Sequence, residues 1–241
     1  MFFRRASIFN LDRHPVLPGP FVIDNAFDDT APIDRLYQWF LSSPNTGDFG
    51  GFFDKKLKLQ HQNVLNWTGG DPNRDSSELL YFARFIVRRI SQFAVTESIL
   101  NADGRSVCGY EFWGNVSNAS CKTDCHIDRD ENLSWTRCMI DRLFPVISSV
   151  VYIGPRQQLD GGDLLIDMGD DAVSFHVQAM RKSLAEQDYI LARSQYLSRI
   201  SFKYNRVVFF PGDRPHLVTP LKELDAHRCS IGVGFWHRII N

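Results

Sequence analysis

The 241-residue sequence has no apolar run long enough to cross a bilayer as a helix. It also lacks a leader pattern, because Asp12 and Arg13 interrupt the apolar stretch that follows Arg4-Arg5. Cysteine is sparse: five residues (108, 121, 125, 138 and 229), an odd number, which argues against a disulfide scaffold and for reduced thiols. A cytoplasmic location is therefore expected, and the Asn-x-Ser/Thr matches at Asn66, Asn115, Asn118 and Asn132 are read as chance. Charge of one sign is lacking too. Twenty-seven basic residues face 28 acidic ones, a net charge of -1, so nothing favours nucleic acid or an anionic membrane as partner. There are no internal repeats and no linker that would separate two domains.

What the sequence does have is a change of pattern. Near the start, "GPFVIDNAFDD" reads as a short strand. "TAPIDRLYQWFLSSP" reads as a helix with Thr30 as N-cap, Pro32 in the first turn, and Ile33, Leu36, Trp39 and Phe40 on one face. The glycine-rich stretch "NTGDFGGFFDKK" reads as a polar connection, and residues 76–94 as a second apolar helix capped by Ser76 or Ser77. From about residue 105, short β-rich runs alternate with turn residues: "VCGYEFWGNV", "VISSVVYIG", "GGDLLIDM", "RVVFFPG" and "CSIGVGFWHRI". A single domain is expected, mainly β with supporting helices. Residues 1–104 form a helical support region and 105–241 an antiparallel barrel or sandwich. One segment breaks the rhythm: residues 176–199 have no Gly or Pro and the composition of an inserted helix.

Within the β region, "CHIDRDE" places His126 and Asp128 two residues apart, so that an extended chain points both to one side while Ile127 turns into the layer behind. A third ligand is expected from His216, which follows a buried strand and a tight turn in "RVVFFPGDRPHLVTPL". Two histidines and one carboxylate make the facial triad that suits Fe(II) and leaves coordination positions open. Twelve residues on, Arg228 and Ser230 share a strand face and form a fork able to hold a carboxylate. Zinc is disfavoured because the Cys121, Cys125, His126 cluster lacks a second ligand pair at finger spacing. His176 is a rival third ligand, but Arg193 is far from it and Lys182 is six residues on, so no matching fork follows.

The ordered blocks "HID", "VVYIGPRQQLDGGDLLI", "RVVFFPGDRPHLVTP" and "RCS" resemble the successive motifs of the Fe(II)/2-oxoglutarate-dependent dioxygenases, with the prolyl-hydroxylase-like branch most alike. The resemblance covers roughly residues 105–238. It implies a double-stranded β-helix, the jelly-roll or cupin-like fold, with Fe(II), 2-oxoglutarate and O2 as cofactor and cosubstrates. It implies that His126, Asp128 and His216 bind the metal and are catalytic, and that Arg228, assisted by Ser230 and Tyr152, holds the distal carboxylate of 2-oxoglutarate. It further places Trp113 and Asn115 on a strand lining the cosubstrate or substrate pocket; Trp236 is a weaker substrate-binding candidate. Two departures stand out. Some prolyl hydroxylases use lysine where Arg228 stands, and the separation of His126 from His216 is long, which implies an insertion.

The activity so implied is hydroxylation of an unactivated C–H bond with release of succinate and CO2. Asp128 fills the carboxylate position that halogenating relatives leave open. The chain's compactness and its insertion favour a small molecule, such as an amino acid or natural product, over the side chain of a protein. The insertion is expected to close over the pocket as a lid. A rival of another class is a catalytically silent jelly roll that uses the same groove to bind a partner.

Overall fold

The run Arg228-Cys-Ser-Ile-Gly-Val-Gly-Phe-Trp236 is buried at every position, which an alternating strand achieves only when both of its faces are covered. In the computed structural model, residues 19–42, 49–54, 56, 59–64, 72–93, 96, 107–118, 123–128, 144–169, 196–223 and 225–237 are described. This run is strand β11 (Arg228–Trp236). It lies between β4 (Gly109–Ser117) and β6 (Ile147–Gly154), and antiparallel pairing on both sides leaves it no edge. The larger sheet has the order β1-β9-β6-β11-β4-β2-β3, with β1 (Phe21–Asp24), β2 (Phe49–Asp54), β3 (Leu59–Val64) and β9 (Arg206–Pro211). A smaller sheet, β5-β10-β7-β8, combines β5 (Thr123–His126), β7 (Leu164–Asp167), β8 (Leu197–Ile200) and β10 (His216–Val218). Two packed antiparallel sheets give the expected jelly roll, mainly β with supporting helices.

The two faces of β11 enter different cores. Cys229, Ile231, Val233 and Phe235 point outward and pack with Ile33, Leu36 and Phe40 of α1 (Ala31–Ser42) and with Phe82, Ile86, Val87 and Ile90 of α2 (Pro72–Ile90). Each such side chain contributes about 1.5–3 kcal/mol on burial, so the helices are fixed by their apolar faces. The second core lies on the inner face of the larger sheet. Tyr152, Val208 and Phe210 meet Leu164, Ile166, Ile200 and Val218 of the smaller sheet there.

Most of the expected elements are present, with four differences. The second helix begins at Pro72 rather than at Ser76 or Ser77 and stops at Ile90. Proline suits a first turn because that position needs no amide hydrogen. The glycine-rich stretch taken as a polar connection supplies β2, whose ladder with β4 extends the sheet, and β3 follows just after it and pairs with β2. With β1, the first 104 residues therefore contribute three strands besides their helices. Finally, Leu197–Arg199, expected as the end of an inserted helix, belong to β8. Its pairing with β7 places Leu165 opposite Arg199, and long-range ladder bonds override local helical composition there. The rest of that segment up to residue 195, and with it the expected lid, lies outside the described residues. Among the described residues no helix is long and apolar enough to cross a membrane.

Asn205 joins the N-terminal segment to the sheet. It holds a left-handed backbone conformation (φ 59°). Its side chain accepts the Phe27 N–H at 2.9 Å and donates to the Phe27 carbonyl at 2.9 Å, both buried. Asn205→Ala leaves two buried backbone groups unpaired and puts alanine at positive φ. The expected loss is about 2–4 kcal/mol, read as a fall in the thermal midpoint of roughly 5–12 °C for a chain of this size.

Candidate metal centre

His216 opens β10 and is flanked on both sides: its Cα pairs with His126 of β5 and with Ile166 of β7. The two imidazoles thus come from adjacent strands, their ring centroids 4.2 Å apart. Asp128 lies just beyond β5, with Ile127 between it and His126 and buried, as the alternation requires. The Nε2 atoms of His126 and His216 each lie 3.6 Å from Asp128 Oδ1. One ligand atom from each residue falls within 4.8 Å of the others. The three expected ligands are brought together.

Their second contacts fix which atoms face inward. His216 Nδ1 lies 3.0 Å from the Arg214 carbonyl, which can only accept, so this nitrogen carries the hydrogen and Nε2 keeps its lone pair. Ser148 Oγ donates to Asp128 Oδ2 at 2.5 Å, turning Oδ1 toward the imidazoles. Phe210 packs edge-on against His216 at 4.9 Å. Asp128 and His216 are buried, whereas the His126 side chain is 41% exposed, so the centre opens on the His126 side. Two imidazole lone pairs and a carboxylate oxygen all present electron density to one point. That donor set fits a divalent cation, and in particular non-haem Fe(II).

The electrostatics follow from burial. Burial alone pushes the Asp128 carboxyl up, but the charges of His216 and His126 and the bonds from His126 and Ser148 outweigh it and hold it at about 2. Burial, helped by the charge of His126, pushes His216 down to about 4 against the opposing pull of Asp128. His216 is thus a neutral ligand near neutral pH.

A second cluster lies on the inner face of the larger sheet, where Ser230 is opposite Tyr152 on one side and Asn115 on the other. Arg228 is fully buried. Its Nη1 donates to the Gly162 carbonyl at 2.9 Å and its Nη2 to Ser230 Oγ at 3.2 Å, and the guanidinium lies 5.3 Å from the Tyr152 ring centroid. Arg228 Nε and the Tyr152 hydroxyl have no hydrogen-bond partner among the described residues. Buried polar groups are normally paired, so two orphan donors beside a buried cation mark a place for an anionic oxygen ligand. Tyr152 and Ser148 share one face of β6, four residues or about 13 Å apart, so this cluster and the metal ligands face one interior.

The remaining candidates make other contacts. Asn115 donates to Thr123 Oγ1 at 3.5 Å and accepts from Ser117 Oγ at 3.0 Å, tying β4 to the strand that carries His126. Trp113 is half-buried over Gly232, where any Cβ would strike its ring. Trp236 is wholly buried and donates its indole N–H to Glu111 Oε2 at 3.0 Å. Cys125 packs against Leu165 and Leu217, away from the imidazoles. His176 and Cys121 lie outside the described residues. Ser148 and Glu111 were not singled out by the sequence. The signal was there, since Ser148 alternates with Val150 and Tyr152, and Glu111 with Trp113 and Asn115.

No family model matches the chain, and no curated protein does. Solved structures do. A prolyl hydroxylase from Trichoplax adhaerens, in complex with a peptide fragment of the hypoxia inducible factor oxygen degradation domain, superposes with a TM-score of 0.50. It is 15% identical, over 91% of this chain and 84% of that one. The chain shares the fold of that structure. A Pseudomonas putida prolyl-4-hydroxylase gives a TM-score of 0.49 at 13% identity, covering 91% of this chain and 86% of that one. A Burkholderia pseudomallei oxidoreductase of the 2OG-Fe(II) oxygenase family gives 0.46 at 10%, covering 91% and 85%. In this fold the smaller sheet carries both histidines, and the larger one carries the Arg228–Tyr152 pair.

The depressed histidine sets the pH response of the metal-free protein. His216 titrates near 6.5 when unfolded and near 4 when folded, so the unfolded chain binds the extra proton between those values. Its contribution is fully present above pH 6.5 and is lost as pH falls toward 4. Asp128 adds a loss of the same sign below 3.8. Thermal melts in chelator are expected to show stability falling from pH 6.5 to 4, by at most about 3 kcal/mol from this group. His216→Gln is expected to flatten that limb.

Proposed function

We propose that the protein is an Fe(II)- and 2-oxoglutarate-dependent dioxygenase. It hydroxylates an unactivated C–H bond of a small molecule, such as an amino acid or natural product, and releases succinate and CO2. The observation that carries this reading is that one interior holds both a three-ligand centre of two imidazoles and a carboxylate and a buried arginine–tyrosine pair with unmet hydrogen-bond donors. When bound, iron with 2-oxoglutarate and O2 supplies the oxidising power that no side chain has. His126, Asp128 and His216 hold the metal. The Arg214 carbonyl keeps the His216 tautomer ligating, and Ser148 keeps one Asp128 oxygen aimed at the centre. Arg228 receives the distal carboxylate of 2-oxoglutarate, with Ser230 and the Tyr152 hydroxyl beside it. Val150, Val208 and Phe210 line the interior around these groups, and the buried ones exclude water.

A small substrate is supported by the half-buried Glu111, Trp113 and Asn115 of β4, which share the inner face of the sheet with Ser148 and Tyr152. A second reading, hydroxylation of a protein or peptide side chain, is favoured by the peptide fragment bound to the Trichoplax adhaerens structure. Succinate release stimulated by free amino acids but not by peptides selects the first. A silent binding jelly roll forms no succinate with any of them.

The metal assignment is tested by His126→Ala and His216→Ala, each expected to abolish Fe(II)-dependent conversion of 2-oxoglutarate to succinate in a folded protein; full turnover in either overturns it. Asp128→Gly is expected to lose hydroxylation too. Ser148→Ala removes a hydrogen bond behind a ligand and is expected to weaken metal binding by roughly 10–100-fold.

For the cosubstrate, Arg228→Ala leaves a buried carboxylate unpaired, a loss of about 2–5 kcal/mol. Half-saturation by 2-oxoglutarate is expected to rise at least tenfold with metal affinity largely kept. An unchanged 2-oxoglutarate titration means that another residue holds the distal carboxylate.

A further inference from the structure

Arg214 gives its carbonyl to His216, and its side chain, in the turn before β10, is buried as well, 7% exposed. Its Nη1 donates to the carbonyl of Gly169, just past the end of β7. Asp213 Oδ1 lies 3.4 Å from its Nε, yet neither atom has a hydrogen-bond partner among the described residues. One bond to a neutral carbonyl, with a carboxylate nearby that makes no hydrogen bond, compensates poorly for taking a guanidinium out of water. An apolar side chain would fill the same place at lower cost. Stability alone does not account for the arginine.

Its position does. The Arg214 carbonyl faces His216 Nδ1, two residues on, at 3.0 Å, and it serves the ring only while it points there. Three restraints aim it. The Arg214 N–H donates to the Pro211 carbonyl at 3.1 Å and closes the turn. Pro215 follows, and the residue before a proline is kept out of the helical region. The third restraint comes from the smaller sheet. The Asp167 N–H donates to the Pro215 carbonyl at 2.9 Å, and two residues beyond Asp167 the Arg214 guanidinium grips the Gly169 carbonyl. Gly169 is itself fixed, because its N–H donates at 2.9 Å to the buried Asp167 carboxylate. A chain of contacts thus runs from Asp167 through Gly169 and Arg214 to the imidazole.

We propose that the Arg214 side chain is a positioning group for the metal ligand His216, and that the Asp167–Gly169 turn acts on the metal through it. Without the guanidinium the Arg214 carbonyl is free to turn, and His216 loses the acceptor that keeps its hydrogen on Nδ1. Part of the population then carries the hydrogen on Nε2, the nitrogen that must face the metal with its lone pair. That part binds no metal. The inference rests on reading His126, Asp128 and His216 as a metal centre.

The test uses the full chain and reads two quantities. Long-range proton–nitrogen spectra of the isotope-labelled, metal-free protein at about pH 8, where imidazole is neutral, report which His216 nitrogen carries the hydrogen. Titrations with Co(II) and Zn(II) give the metal affinity. Wild type is expected to show the hydrogen on Nδ1 alone. Arg214→Leu is expected to show both tautomers and to bind metal roughly tenfold more weakly. Arg214→Lys keeps a donor for Gly169 and is expected to recover both readouts in large part. Asp167→Ala touches no metal ligand and is expected to reproduce the defect, whereas Asp167→Asn keeps the acceptor and is not. Because both sites act through one contact, the double variant Asp167→Ala with Arg214→Leu is expected to bind metal no more weakly than the worse single one. A purely structural role lowers the thermal midpoint and leaves the tautomer alone. The hydrogen remaining on Nδ1 alone in Arg214→Leu, wild-type metal affinity in that variant, or losses that add in the double variant each overturn the proposal. If Arg214→Leu does not fold, the Asp167 pair decides, and equal metal affinity in Asp167→Ala and Asp167→Asn overturns it. Neither readout involves 2-oxoglutarate. Metal binding that follows the tautomer without any succinate formation counts only against the oxygenase reading; succinate formation with a tautomer indifferent to Arg214 counts only against this one.

Discussion

A carboxylate held out of water between two imidazoles is the constraint on which the rest of the structure depends. Burying Asp128 is unfavourable unless its charge is matched and its oxygens are hydrogen-bonded. Both requirements are met from different parts of the chain. His126 comes from the same strand end, His216 from a strand 90 residues later, and Ser148 from the opposite sheet. The spacing of the two sheets is therefore tied to the centre, because Asp128 bridges them. The apolar side chains of the inner core keep water out on the side away from His126.

The larger sheet divides its labour by face. Its outer face is apolar apart from Ser149, whose hydroxyl is spent on the Val233 carbonyl, and it carries the helices. Its inner face carries polar and charged residues on three adjacent strands: Ser148 and Tyr152, Arg228 and Ser230, Glu111 and Asn115. Such a face is costly in a closed core and useful in a lined cavity, where ligand groups complete the hydrogen bonds. The orphan donors at Arg228 and Tyr152 fit that pattern. Gly232 and Gly234 complete it by giving up their own side chains so that indoles can lie across β11.

Asp24 and Asn205 show how the N-terminal segment is added to this frame. Arg206 and Lys203 clamp the Asp24 carboxylate of β1 at 2.6 and 2.7 Å and hold its pKa at about 2, mainly through the Arg206 hydrogen bond. These groups are exposed enough for solvent to screen them, so the clamp sets register more than it stabilises. Asn205, buried one residue before β9, contributes more because its partners have no access to water.

Much was legible in the sequence because it was written in short-range pattern. Short β-rich runs bounded by turn residues marked β4, β6, β7, β9 and β11, and the His126-x-Asp128 spacing fixed two donors on one side of a strand. Helix periodicity marked α1 and most of α2. The strands that escaped are those without such a β-rich run: the glycine-rich β2, the polar β3, and β8 at the end of a stretch of helical composition. They exist because a neighbouring strand offers a hydrogen-bond ladder, which a local reading does not contain. Likewise the sequence alone determined the donor types of the centre and the likeness of its ordered blocks to an oxygenase family. Only the tertiary structure decided that Ser148 holds Asp128, that Trp236 faces Glu111 rather than open space, and that Arg228 and Tyr152 keep unmet donors side by side. Those facts depend on the register between strands distant in sequence, and register is set by the packing of whole faces rather than by any one segment.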